Sequence, residues 1–346
     1  MADPKIEEAL ASGRVPPHIR AAELERNHDV AGIASISVVT ALTLIIVLCR
    51  LASRRFVTKR FGLGLDDGVV LVSLVTFILL SSLYLVLIKM GAGRTFPYIS
   101  FVLGETAQER MEMVDSVAHL VYNTTLWLCR LSGLAFYYRI CELHKEFIVA
   151  IRVILGVITA GYLAQMGFII FHCKPVTLLW VSYDQFGNPL DGSCLAWWVV
   201  YGAGSGISLF SDLLLFGLPL AMLKVLDMPR KRKFQLACIL LPGLAVIGIS
   251  SARVALVVAY GFEDHRHFQF AFLKLLVIEV SEASSTLIAL SIPGVKPMVD
   301  KFILRKDLYA DTEGSRFLSN RGSIGSSSSS IRGLKEFARY GTEEHV

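Results

Sequence analysis

The chain has 346 residues, 54% of them hydrophobic and only 18% charged, with a formal net charge of +5. So much apolar surface cannot all be hidden from water, and the mean hydropathy of +0.57 points to lipid as the solvent for much of the chain, which excludes an ordinary cytosolic enzyme. The small net charge, carried in loops rather than on one face, excludes a nucleic-acid reader, and six cysteines in so long a chain do not make a disulfide-dense secreted domain.

Residues 1–29 hold four Lys/Arg, six Asp/Glu and the turn pair Pro16-Pro17, with no apolar core of signal-peptide length, so a tail without a cleaved leader is expected. The first long apolar run, Val30 to Cys49, has twenty residues and no charge, enough to cross ~30 Å of hydrocarbon as a helix. Further runs follow at about Asp67 to Ile88, Val117 to Tyr138, Ile148 to Phe171, Leu195 to Leu223, Leu236 to Tyr260 and Ala271 to Ile292, making seven expected spans. Each is continuously apolar over about twenty residues, which predicts helices rather than the alternating strands of a barrel. The expected fold is all-α, a polytopic seven-transmembrane helix bundle over 30–295, without the internal duplication of an inverted-repeat transporter.

Loops 50–66, 139–147 and 224–235 hold five, two and five Lys/Arg; loops 89–116, 172–194 and 261–270 hold three, one and one. This bias places the first set in the cytoplasm, the N-terminus outside or in a lumen, and the C-terminus inside. Pro293-Gly294 is expected to break the last helix after span seven, and residues 296–346 read as a cytoplasmic tail. Met298, Val299, Phe302, Ile303 and Leu308 recur at helical spacing among basic residues, as in an interfacial helix on anionic lipid, and the stretch containing Ser326 to Ser330 is expected to be disordered. A plain polar tail is one reading of that end; a phosphorylated docking segment for a cytoplasmic protein is the other.

Ionisable groups inside spans are the most informative residues, because each costs about 3 kcal/mol or more at the bilayer centre unless paired or hydrated. Arg130 in span three and Asp212 in span five fall at one depth, roughly 20 Å below the outer edge at ~1.5 Å per residue, which suits an ion pair. Arg253 in span six and Glu279 in span seven share another level, with Glu282 one turn further in, so Arg253 can pair with either carboxylate. With His119, these three residues make a candidate ligand pocket; the alternative is that the charges only fix helix packing and register. Asp66 and Asp67 open span two, where they suit a helix N-terminus as caps and can meet nearby arginines.

Cys173 and Cys194 bracket an outer loop on the oxidising side, and a disulfide closing it is expected to add about 3 kcal/mol in the chain-entropy model. Cys49, Cys129, Cys141 and Cys238 lie in spans or at their cytoplasmic ends and are expected to stay reduced. Gly202, Gly204 and Gly206 read as a close-packing stripe in span five, and the Asn123 sequon is too deep to be glycosylated. Glu263, Asp264, His265 and His267 crowd one outer loop without standard metal spacing. No Walker loop, Rossmann fingerprint, zincin helix or hydrolase elbow is present, so no metal and no cofactor are expected.

Taken in order, Gly64-x-Asp66-Asp67, Arg130-Leu131-Ser132 through Tyr138-Arg139, Cys173-x-Pro175 with Trp180 and Cys194, Asp212 before Pro219, Pro229 before the basic cluster, Gly243 to Arg253, and Glu282 followed by Pro293 and Pro297 carry a resemblance. The chain resembles the fungal rhodopsin-like-domain proteins, seven-span membrane proteins related to fungal plant-pathogenicity receptors and named in part after a satratoxin-cluster member. The resemblance implies fungal origin, an integral membrane location and, often, residence in gene clusters for secondary metabolites, mycotoxins included. It does not imply retinal, because the only lysine of span seven, Lys274, sits in its first turn, where it can snorkel outward. Arg130 stands where Lys is more usual and Ser208 where Asn commonly precedes the span-five Asp, so no ligand contact is carried over to either.

The function expected is a membrane protein of fungal secondary metabolism that binds or senses an apolar small-molecule metabolite between its helices, with membrane lipid as its other partner. The second reading is an intramembrane cyclase or isomerase in which Glu282 or Glu279 acts as general acid and Asp212 stabilises a cation.

Overall fold

The computed structural model describes residues 4–17, 19–53, 65–140, 145–176, 192–225, 230–262 and 270–302. Short helices α1 (Pro4–Ala11) and α2 (Ala21–Leu24) precede the long helices α3 (Asp29–Ala52) and α4 (Leu65–Leu87), and α4 runs on through a π-helical turn, Ile88–Ala92. After α5 (Phe96–Phe101) come α6 (Glu105–Ile140), α7 (Lys145–Ile170), strands β1 (Cys173–Lys174) and β2 (Ser193–Cys194), α8 (Trp197–Val225), α9 (Arg230–Phe262) and α10 (Ala271–Phe302). The long helices close a ring in chain order, α3 against α4, α4 against α6, then α6 to α10 in turn, and α10 returns to α3. α6 also packs against α10 and α8, so it has protein on most of its sides.

Burial is inverted relative to a fold in water. Leu241 is 69% exposed and Val38 67%, whereas Glu282 is fully covered and Arg130 is 3% exposed. Apolar groups outside and charges inside is the arrangement lipid selects, since hydrocarbon solvates leucine and not carboxylate. Among the described residues, six helices are long and apolar enough to cross a membrane: 29–52, 67–92, 145–170, 197–224, 240–261 and 271–292. The chain is a multi-pass integral membrane protein. The expected third span, Val117 to Tyr138, lies within α6 but falls outside this set, because His119, Asn123, Thr124, Thr125 and Arg130 dilute its apolar character. Those polar groups are affordable where neighbouring helices rather than lipid cover them.

One apolar cluster, with Phe77, Leu126, Leu276 and Leu287 among its members, joins α3, α4, α6 and α10; a second, around Leu134, Ile158 and Met222, joins α6, α7 and α8. At one end of the bundle β1 and β2 pair antiparallel, with Cys173 opposite Cys194 and a disulfide between them. The first residues, expected as a plain tail, fold over that end. Ile6, Ala9 and Val15 join Leu24 of α2 and Tyr98 of α5 in a small apolar cluster, and Asn27 bridges to Arg94. At the opposite end Arg50 ties three helices, its Nη2 lying 3.6 Å from Asp67 Oδ1 and its Nη1 donating to the Leu290 carbonyl.

The helix break expected at Pro293-Gly294 does not occur, and α10 continues to Phe302. A proline in a membrane helix is tolerated when other donors reach the carbonyls it disturbs. Arg50 supplies such a donor, and its side chain crosses so close to Gly294 that a Cβ there would stand 2.8 Å from Arg50 Cγ. The basic stretch at 54–60, the side chains of 230–233, Trp180, the outer-loop group Glu263, Asp264, His265 and His267, and residues 303–346 lie outside the described residues, as do the side chains of Asp66, Cys238, Met298, Val299 and Phe302 and all of Cys141.

The turn that follows α4 depends on glycine. Gly91 adopts φ 126°, which L side chains rarely reach, and a Cβ on Gly93 would come within 2.9 Å of the Asp29 backbone where α3 begins. Gly93→Ala is therefore expected to lower the unfolding midpoint in detergent, at a cost of roughly 1–3 kcal/mol for overpacking against backbone. Gly156→Ala, with open space about its Cβ, is expected to leave the midpoint unchanged or raise it through better helix propensity.

Candidate functional site

The interior of the bundle is a continuous polar network assembled by helical spacing. On α6, Asp115, His119, Tyr122 and Arg130 recur at intervals that keep them on the side turned to α8, α9 and α10. Glu279 and Glu282 stand one turn apart on α10, Ser250 and Arg253 one turn apart on α9, and α8 contributes Tyr201, Ser208 and Asp212. All seven ionisable groups are buried.

From the disulfide end inward, Tyr201 Oη donates to Asp115 Oδ2 at 2.8 Å and lies 3.1 Å from His119 Nδ1. His119 bridges two carboxylates: its Nδ1 is 3.4 Å from Asp115 Oδ1 and its Nε2 3.2 Å from Glu279 Oε1. Tyr84 of α4 donates to Glu279 Oε2. Arg253 then spans both glutamates, with Nε 3.0 Å from Glu282 Oε2 and Nη1 3.9 Å from Glu279 Oε1, and its guanidinium lies over the Tyr122 ring. Glu282 also accepts from Tyr122 at 2.8 Å and from Ser208 at 3.1 Å. Ser250 Oγ stands 3.0 Å from Glu282 Oε1 and 2.8 Å from Asp212 Oδ2, so its single proton serves one carboxylate at a time. Arg130 closes the chain, with Nε 3.0 Å from Asp212 Oδ1 and Nη2 donating to both the carbonyl (3.1 Å) and the hydroxyl (2.5 Å) of Ser208.

The structure thus joins the two charged groupings read from the sequence into one network, through Ser208 and Ser250. Arg253 contacts both glutamates rather than choosing one. Asp67, read as a cap, lies beside Arg50 at the opposite end, far from the network along the helices. Asn123 is buried and donates to the His119 carbonyl at 3.0 Å. Asp115, Tyr84, Tyr122, Tyr201, Ser208 and Ser250 belong to the network without a mark in the sequence as plain as a charge within an apolar run. Asp115 fell in a loop on the hydropathy reading, but it stands four residues before His119, the spacing that stacks two side chains on one helix face. The tyrosines and serines carry no charge to mark them.

Among the described residues, three cavities lie along the network. The largest, of about 240 Å³, opens among α6, α8, α9 and α10 near the disulfide end and is lined by Met111, Trp197, Leu256, Val257, Phe272 and Leu275, with Asp115 and Tyr201 at its deepest turns. A cavity of about 30 Å³ touches His119, Arg253 and Glu279, and one of about 90 Å³ lies beside Arg130 and Asp212. Glu282 lines none of them.

These features define a helix-bundle membrane protein whose charged centre is buried between helices. A match to the fungal rhodopsin domain covers residues 49–301, and the chain belongs to that family. No curated protein and no solved structure matches it.

Ser250 is the joint of the network. Ser250→Ala removes a hydrogen bond to an ionised group, worth about 1.5–3 kcal/mol, and is expected to lower the unfolding midpoint in detergent accordingly. Ser251→Ala is the control: its exposed hydroxyl donates to the Ile247 carbonyl of its own helix, and no change is expected.

Proposed function

We propose that the protein is a seven-span membrane protein of fungal secondary metabolism that binds an apolar small molecule in the 240 Å³ cavity between α6, α8, α9 and α10. The observation that carries the reading is the cavity itself: a mostly apolar and aromatic wall with a few polar groups, Asp115 and Tyr201 at its inner end and Arg94, Gln108 and Glu112 nearer its mouth, which is how small-molecule sites are commonly built. The metabolic setting follows from the family expectation. The seventh crossing is α6, whose 36 residues reach ~54 Å as a helix and whose polar groups meet protein rather than lipid.

The loop charges support a placement with the disulfide end, and hence the cavity mouth, outside or in a lumen, and the Arg50 end in the cytoplasm. Residues 30–295 then form the transmembrane domain, between a folded N-terminal cap and a cytoplasmic tail. The intramembrane-enzyme reading is less favoured, since a general acid must touch its substrate and, among the three cavities described, Glu282 lines none and Glu279 only that of about 30 Å³, although Asp212 lines that of about 90 Å³.

Thermal unfolding in detergent across a panel of apolar terpenoids, polyketides and naphthalene derivatives tests the reading. At least one compound is expected to raise the midpoint, by an amount equivalent to about 2.7 kcal/mol at a hundred times its Kd. Leu256→Trp, which places an indole in the cavity, is expected to abolish the effect. A panel without effect on the unsubstituted protein contradicts the proposal.

A further inference from the structure

We infer that the cavity takes a ligand bearing a protonated amine, whose ammonium group supplies the charge that Asp115 lacks; the inference rests on the proposed occupancy of that cavity and adds the chemical class of the occupant. Among the described residues the network holds four carboxylates, Asp115, Asp212, Glu279 and Glu282, against two guanidinium groups, Arg130 and Arg253, and one imidazole, His119. Even with His119 charged, this network of described residues is one positive charge short.

Pairing assigns the deficit to one residue. Asp212 has Arg130 at 3.0 Å and Glu282 has Arg253 at 3.0 Å. Glu279 has His119 at 3.2 Å, the Tyr84 hydroxyl, and Arg253 again at 3.9 Å. Asp115 is left with the far side of the same imidazole at 3.4 Å and one hydrogen bond, from Tyr201 to its Oδ2. Among the described residues nothing donates a hydrogen bond to its Oδ1, although Asp115 is only 7% exposed. A carboxylate so buried and so incompletely satisfied is costly unless a cation completes it.

The cavity supplies room for that cation. Asp115 lies at its inner end, and Trp197, Trp198, Tyr201 and Tyr260 among the lining residues bring aromatic rings, whose faces attract an ammonium group. Arg94, also on the lining, lies 3.6 Å from Asp29 and over the Tyr98 ring, while Glu112, one turn from Asp115, adds negative charge. The lining therefore favours an ammonium group and disfavours a carboxylate, and its apolar remainder requires an apolar body.

Three probes sharing one aromatic body decide the matter: naphthylethylamine, naphthylethanol and naphthylacetate, titrated against the full-length protein in detergent with tryptophan fluorescence and unfolding midpoint as readouts. The amine is expected to bind at least about tenfold tighter than the alcohol, as a charged hydrogen bond implies, and the carboxylate not to bind. Asp115→Asn is expected to reduce the amine to the affinity of the alcohol. Equal affinity of amine and alcohol for the unsubstituted protein overturns the inference, with a proton then completing the charge, and so does an amine preference that survives Asp115→Asn; either leaves the apolar-ligand reading standing. Failure of all three probes to bind, or binding unchanged in Leu256→Trp, overturns occupancy of this cavity and the inference with it. Should Asp115→Asn not fold, the amine-to-alcohol comparison on the unsubstituted protein decides alone.

Discussion

A charge surrounded by hydrocarbon must find its counter-charge inside the protein, and this single requirement organises the bundle. Arg130 and Asp212, and Arg253 with Glu279 and Glu282, are held at hydrogen-bonding or ion-pairing distance across helices far apart in the chain. Apolar packing alone has little power to choose between neighbouring registers in lipid, because a leucine against lipid and a leucine against another helix differ little in solvation. Ion pairs with fixed geometry discriminate strongly. A one-residue slide of α6 past α8 would separate Arg130 from both Asp212 and Ser208.

The same requirement explains why α6 looks least like a membrane helix and sits most centrally. Its polar stripe is what the other helices converge on, and its apolar remainder joins both large hydrophobic clusters. The disulfide at one end and the Arg50 clamp at the other close the bundle around this centre. Space remains chiefly where the network stops: the 240 Å³ cavity begins at Asp115 and Tyr201, where the pairing of charges is least complete.

Much of this was legible in the sequence because two signals act over different ranges. Long apolar runs give helices directly, since in lipid the backbone must satisfy its own hydrogen bonds. Charges within such runs must be covered, and their depth along the helix restricts which can meet; that reasoning put Arg130 with Asp212 and Arg253 with the two glutamates. Less visible were contributions set by packing. Asp115 lay beyond the hydropathy boundary of its span and was read as loop, although it faces inward one turn before His119. Tyr84, Ser208 and Ser250 are ordinary residues of membrane helices, and only the crossing of helices gives them carboxylates to serve. The continuity of α10 past Pro293 is hidden from the sequence for the same reason, because the Arg50 donor that reaches Leu290 comes from a helix some 240 positions away. The fold of residues 4–24 over the bundle end depends on α5, whose apolar face has no meaning until a partner covers it.

The central claim, that ion pairing across helices holds the structure, is tested most directly by a double-mutant cycle on Arg130 and Asp212, read as unfolding free energy in detergent. Arg130→Met and Asp212→Leu singly are expected to cost about 3–5 kcal/mol each, because each leaves a buried charge without its partner, while the double variant recovers most of the loss by leaving none. Two single substitutions that are each nearly neutral, or a double substitution whose cost is the sum of both, would contradict the account.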